Sequence, residues 1–203
     1  MANIKHPRPQ RVMHWINLLS LVVLGITGYL IYWPVNGLAI FAVRYVHFIV
    51  GTIFGINVLI RIYYAWAGHY ADHGNFEMRG GRWGRLWPMI RHYLYLGSRP
   101  EEEGYNALQR LTYQGIALLA LLQVLTGFSL AYPSGRLREV VSLLGGLGDV
   151  RALHLLLFFV FTAFLIVHPY LVLVEAPEEF APMLLGEPEH PVGLGEKGPG
   201  VVS

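Results

Sequence analysis

The chain has 203 residues, no cysteine, 15 Lys and Arg against 13 Asp and Glu, and only 14% charged residues, where an average soluble protein has roughly 25%. Without cysteine this chain alone can form no disulfide framework, thiolate metal site, iron–sulfur cluster or covalent c-type haem. A net charge of +2, 54% hydrophobic residues and a mean hydropathy of +0.44 exclude both a nucleic-acid binder with a basic face and a disordered chain.

Charge gaps mark the elements in chain order. No charged residue lies between Arg11 and Arg44, and further gaps run from Arg44 to Arg61, Arg110 to Arg136 and Arg151 to Glu175. A spanning helix needs ~20 mostly apolar residues. Windows 12–43, 111–135 and 152–174 reach that outright, and 45–60 does so if Arg44 and Arg61 snorkel. Nothing alternates with period two, which argues against a barrel. The expectation is an all-α integral membrane protein. Residues 1–175 form one four-helix bundle with spans near 12–33, 40–66, 108–132 and 151–175. The first span is too long for a signal-peptide core and no Ala-x-Ala site follows it, so it is read as retained.

Between spans two and three, loop 67–107 holds Arg82–Leu96, where Trp83, Trp87, Tyr93 and Tyr95 stand among Arg85 and Arg91. That mixture predicts a short helix at headgroup level. Residues 176–203, rich in Gly, Pro and Glu, read as a cytoplasmic tail, either mobile or acting as a docking strap. No internal repeat is read. Lys5, Arg8, Arg11, Arg61, Arg79, Arg82, Arg85, Arg91, Arg99, Arg110 and Lys197 fall on one side of the membrane, and only Arg44, Arg136, Arg138 and Arg151 on the other. The positive-inside rule then puts both termini and the 67–107 loop in the cytoplasm.

Nine histidines occur. His6, His69, His73, His92 and His190 lie in aqueous or interfacial segments and read as solvated. His14, His47, His154 and His168 lie inside predicted spans, where ionisable residues are costly and functional by default. His14 and His168 stand toward the inner side, His47 and His154 toward the outer. On span four, 14 residues separate His154 from His168, ~21 Å along the axis, with both on nearly one face. Two imidazoles share a metal only if both nitrogens come within about 2 Å of it, so the depths pair His14 with His168 and His47 with His154. Facing neutral imidazoles across a wide apolar gap suit haem b, giving two bis-histidine haems. Gly28, on the face of His14 but at outer depth, and Gly51, one turn from His47, leave room for a flat ring or for close helix packing. Zinc would want three or four ligands, and a proton path would want acidic partners; the uncharged windows hold no Asp or Glu.

The residues resemble the b-type cytochrome subunit of membrane-bound nickel–iron hydrogenases and, almost as well, the gamma subunit of respiratory formate dehydrogenases. The resemblance covers about residues 8–175. It is carried by Arg11-Val-Met-His14-Trp15, Thr27-Gly28-Tyr29, Arg44-Tyr45-Val46-His47-Phe48, Arg61-Ile62-Tyr63, Arg91-His92-Tyr93-Leu94 with Arg99-Pro100, and the two span-four histidines. Tyr105-Asn106-Ala107-Leu108-Gln109 looks more like the formate dehydrogenase subunit, whose matching Asn lies by the quinone. The resemblance implies two haems b and electron flow to a quinone, menaquinone or ubiquinone. It also implies partners on the outer face: an iron–sulfur subunit and a catalytic subunit, either nickel–iron or molybdenum/tungsten.

At the inner start of span three, Asn106 and Gln109, with Tyr105 and Arg110 beside them, offer amides for a quinone carbonyl, with His168 near its other end. Asn106-x-x-Gln109 also has capping-box spacing, and both roles can coexist. The chain itself shows no catalytic constellation, and quinone reduction is the only chemistry expected of it. Three other readings stand: a quinol-oxidising cytochrome b of a thiosulfate or polysulfide reductase, a transporter, and a haemless membrane anchor.

Overall fold

A computed structural model describes residues 6–67, 72–78, 81–101 and 105–186. His69, His190, Lys5, Arg79, Lys197 and the tail after Gly186 lie outside the described residues. Four helices are long and apolar enough to cross a membrane: α1 (Arg8–Tyr32), α2 (Ile40–Ala67), α4 (Ala107–Ala131) and α6 (Leu147–Glu175). Between them stand the short α3 (Leu86–Tyr93) and α5 (Leu137–Leu143), and α7 (Phe180–Leu185) follows α6. Among the described residues there is no strand.

Local chemistry sets the boundaries. α1 opens behind Pro7 with Pro9 in its first turn, where a missing N–H costs nothing. It stops just before Pro34, which cannot continue a helix. α4 opens on a complete capping box: Asn106 Oδ1 accepts from the Gln109 N–H at 2.9 Å, and Gln109 Oε1 accepts from the Asn106 N–H at 3.0 Å. Such a cap contributes about 1 kcal/mol. α4 ends before Pro133. α6 starts after Gly145 and Gly146, whose φ values of +95° and +112° suit only glycine without strain.

α1 packs along much of α2, and α4 packs on both α2 and α6, while α1 and α6 touch lightly. The core lies at mid-depth, where Phe54, Val58, Ala120 and Phe161 are buried among Leu21, Leu24, Ile116 and Val124. Gly55 admits α4 closely: a Cβ there would stand 3.0 Å from Val124 Cγ1. The outer surface is apolar, with Phe41, Leu118 and Ile166 strongly exposed, as lipid-facing helices require.

The loop helix lies where the tryptophans predict: a 3₁₀ turn at Arg82–Arg85 runs into α3, burying Met89 while Trp83 and Trp87 stay exposed. α5, in the connection between α4 and α6, is an element the charge gaps do not reveal. The segment after Glu175 takes the strap form. Trp15 Nε1 donates to the Met183 carbonyl at 3.2 Å, and His6 Nε2 lies 2.8 Å from Glu179 Oε2. His6 is thereby buried, not solvated as the sequence suggests, because the strap covers it. His73 stacks on Trp66 at 4.7 Å.

Candidate functional site

The four intramembrane histidines meet in two pairs. His14 of α1 faces His168 of α6 with ring centroids 6.2 Å apart, and His47 of α2 faces His154 of α6 at 6.4 Å. An imidazole nitrogen stands about 2 Å from a bound metal and roughly 1.1 Å from its own centroid, so two imidazoles sharing one metal from opposite sides set centroids about 6.2 Å apart. Both pairs match that separation. Among the described residues no group of three or more His, Cys, Asp or Glu gathers to hold a metal; each pair brings two imidazoles together.

At the His47–His154 pair, a threonine hydroxyl meets each imidazole. Thr27 Oγ1 donates to the Val23 carbonyl at 2.7 Å, and His47 Nδ1 lies 2.8 Å from the same oxygen. Thr126 Oγ1 donates to the Leu122 carbonyl at 2.9 Å, with His154 Nδ1 2.9 Å away. With each hydroxyl donating to its own helix, each threonine oxygen is placed to accept an imidazole Nδ1–H, the tautomer that carries no proton on Nε2. His154 Nε2 has a long 3.4 Å contact with the Gln123 amide, whose Oε1 is buried without a partner.

Glycines hold the backbone close to the same rings. A Cβ on Gly28 would stand 3.4 Å from His47 Cε1, and one on Gly127 would stand 3.2 Å from His154 Cε1. A Cβ on Gly51 would stand 3.7 Å from Leu24 Cδ2, an ordinary contact between α1 and α2. At the His14–His168 pair, Phe164 stacks on His168 with centroids 5.1 Å apart, and Trp15 meets His14 edge-on at 5.5 Å.

At the start of α4, the capping box uses Asn106 Oδ1 and Gln109 Oε1, and Asn106 Nδ2 reaches the Tyr93 hydroxyl at 3.3 Å. The Tyr105 carbonyl accepts from Arg110 Nε at 2.7 Å, while its ring meets Tyr113 edge-on at 5.2 Å. The box uses only the amide oxygens, which leaves the amide nitrogens of Asn106, beside the Tyr93 hydroxyl, and of Gln109 as donors outside it.

Sequence reasoning passed over Thr126 and Gly127 and gave Tyr93 no place beside Asn106; for the first two the signal it missed is a repeat. Gln10-Arg11, Thr27-Gly28-Tyr29 and Trp33-Pro34 recur at the same mutual spacing as Gln109-Arg110, Thr126-Gly127-Phe128 and Tyr132-Pro133. Val43-Arg44-x-x-His47 recurs as Val150-Arg151-x-x-His154. The α1–α2 and α4–α6 halves therefore carry the same Thr-Gly cradle for one histidine each. At inner depth the halves diverge: Tyr113 stands where the repeat puts His14, and Arg61 where it puts His168.

Comparison with known proteins bears on this geometry. A family model described as "Prokaryotic cytochrome b561" matches residues 5–186. The "Probable Ni/Fe-hydrogenase 1 B-type cytochrome subunit" of Escherichia coli K12 is 31% identical over 189 residues, covering 82% of this chain and 80% of that protein. The "Probable Ni/Fe-hydrogenase B-type cytochrome subunit" of Azotobacter vinelandii is 32% identical over 189 residues, covering 82% and 78%. That of Cupriavidus necator H16 is 31% identical over 196 residues, covering 86% and 80%.

Proposed function

The chain belongs to the prokaryotic cytochrome b561 family, and from that membership we propose that it is the membrane cytochrome b subunit of a nickel–iron hydrogenase, carrying electrons between that enzyme and the quinone pool. Membership implies haem b, which supplies reversible one-electron chemistry when bound. The observation that carries the reading is the pair of imidazole separations, 6.2 and 6.4 Å. They support two haems b, one held by His14 and His168 and the other by His47 and His154. In this reading Thr27 and Thr126 hold the outer imidazoles as neutral ligands, Gly28 and Gly127 leave room for a ring plane, and the Phe54–Phe161 core keeps water from the space between the two depths.

The partner rests on the relatives, three of which are named as nickel–iron hydrogenase cytochrome subunits. That supports a nickel–iron enzyme, reached through an iron–sulfur subunit, over the molybdenum or tungsten enzyme that the formate dehydrogenase resemblance allows. The excess of Lys and Arg at one end supports both termini facing the cytoplasm of a prokaryotic cell. The partner then docks outside, near Arg44, Arg136, Arg138 and Arg151, and menaquinone or ubiquinone binds inside, near Asn106, Gln109, Tyr105 and His168.

The two sites lie ~21 Å apart along α6. Moving one charge fully across the membrane exchanges ~2.3 kcal/mol per 100 mV, so electrons travelling inward against the potential need a strongly reducing donor such as hydrogen. The test is the complex in sealed liposomes with its partner facing out, hydrogen supplied outside and a menaquinone analogue in the bilayer. The expected result is an inside-negative potential that builds with turnover and a rate that rises on adding an uncoupler. Turnover with no potential and no response to the uncoupler refutes an inner quinone site.

A further inference from the structure

Gln123 is a polar side chain in the second half of α4, between Leu122 and Val124 and one turn before Thr126. Lipid offers an amide nothing to bond, so a glutamine at this depth is costly unless it has a task. Its Nε2 lies 3.4 Å from His154 Nε2, and among the described residues its Oε1 is buried without a hydrogen-bond partner. Buried polar atoms are nearly always satisfied, and one that is not marks a ligand, a water or a redox role.

Helix packing does not account for the residue. The repeat that matches Thr27 with Thr126 and Gly28 with Gly127 matches Leu24 with Gln123, and Leu24 packs against the apolar core. A hydrocarbon side chain of similar size therefore fills the same place in the other half. The amide is what the His154 side of the cradle has and the His47 side lacks.

α4 meets His154 at both ring nitrogens. Thr126 Oγ1 stands 2.9 Å from Nδ1 and 3.0 Å from the Gln123 carbonyl, while the Gln123 amide stands at Nε2. With Nδ1–H turned to the threonine, Nε2 carries a lone pair, and the end of an amide that faces a lone pair is its N–H end, the positive one. Nε2 is also the nitrogen that would hold a haem iron. An atom bound there at about 2 Å is at most about 5.4 Å from the Gln123 nitrogen. In surroundings of low dielectric a fixed dipole acts strongly over that distance.

We propose that Gln123 tunes the haem held by His47 and His154, its amide raising the reduction potential by favouring ferrous iron; this rests on the two-haem reading above. Reduction adds one electron, and the positive end of a dipole fixed nearby stabilises the form that carries it. Thr27 and Thr126 act the other way, because an imidazole whose Nδ1–H is bonded is the more basic ligand and favours ferric iron. Gln123 offsets that pull and keeps this haem reducible by its partner. The amide itself takes up neither electron nor proton.

The test is spectroelectrochemical titration of the full-length chain with its haems in nanodiscs, with His154→Ala identifying the wave that belongs to this haem. At the wild-type midpoint, where the two oxidation states are equal, Gln123→Leu is expected to leave about one reduced haem to ten oxidised. Tenfold is the weight of one hydrogen-bond-sized interaction, and it reads as a fall of about 59 mV for a one-electron couple. Gln123→Met should give the same fall. Gln123→Asn, which keeps the amide but draws it back, should give a smaller one, and the other haem should stay within twofold throughout. A ratio within twofold of wild type in either apolar variant that retains the haem overturns the proposal, as does a rise in potential or an equal shift of both haems. Loss of this haem from both apolar variants overturns it as well, since the amide then builds the site and does not tune it. A wild type whose haem content is unchanged by His154→Ala refutes the two-haem reading, and the proposal with it.

Discussion

Alanine at Gly127 should disturb the outer haem and spare the inner one, and the size of the effect follows from the packing around three glycines. A Cβ on Gly127 would stand 3.2 Å from His154 Cε1, one on Gly28 would stand 3.4 Å from His47 Cε1, and one on Gly25 would meet nothing within 4 Å. Carbon atoms attract best at about 3.5–4.0 Å. Gly127→Ala therefore pushes the His154 ring by a few tenths of an ångström, Gly28→Ala is near neutral, and Gly25→Ala changes nothing at the site. Gly25→Ala should even gain about 0.5–1 kcal/mol of helix stability. Gly127→Val puts methyl carbons about 1.5 Å beyond the Cβ, into the ring. Overpacking of this kind costs about 1–3 kcal/mol. At 1.4 kcal/mol per tenfold, that weakens outer-haem retention about 5- to 150-fold. Redox-difference spectra with potentiometric titration of the four variants should rank the outer-haem disturbance Gly25→Ala, Gly28→Ala, Gly127→Ala, Gly127→Val, from least to greatest. Equal effects from Gly25→Ala and Gly127→Val, or loss of the inner haem first, refute the cradle.

Thr27→Val and Thr126→Val keep the shape of the cradle and remove the Nδ1 acceptor, so each should weaken outer-haem binding about 10- to 100-fold, read by haem transfer to apomyoglobin. Asn106→Ser keeps an oxygen for the cap and removes the amide donor. It should hold thermal stability within about 0.5 kcal/mol while quinone affinity falls several-fold in an equilibrium titration. Photo-crosslinkers placed at Arg44 and Arg138 should trap the partner complex, whereas placement at Trp87 in the inner loop should not. Crosslinks confined to the inner loop contradict the orientation.

Spans were legible because lipid removes charge from the sequence, but a charge gap measures the apolar stretch and not the helix. α1 accordingly begins at Arg8, a turn before the uncharged window opens, with Pro9 accommodated in its first turn. α6 begins at Leu147 because the break is made by Gly145 and Gly146, with charged Asp149 and Arg151 already helical. The histidine pairing could be argued from depth, since rise per residue is fixed and α6 carries a histidine at each level. The Thr-Gly cradle was harder to see. On α4 no histidine draws attention to Thr126 and Gly127, whose partner lies on another helix. The repeat is also masked by unequal spacing: Thr27 and His47 are 20 residues apart, Thr126 and His154 are 28, and α5 occupies the longer connection. His6 was illegible for a different reason, because only a strap returning from the far end of the chain buries it.

Haem content per chain tests the account most directly. The purified full-length protein and its four histidine-to-alanine variants can be compared by pyridine haemochrome assay with low-spin electron paramagnetic resonance. The account predicts two low-spin b haems in the wild type. His47→Ala and His154→Ala should each retain the same single haem, and His14→Ala and His168→Ala should each retain the other. One haem or none in the wild type, or loss of the same haem from His14→Ala and His154→Ala, would contradict it.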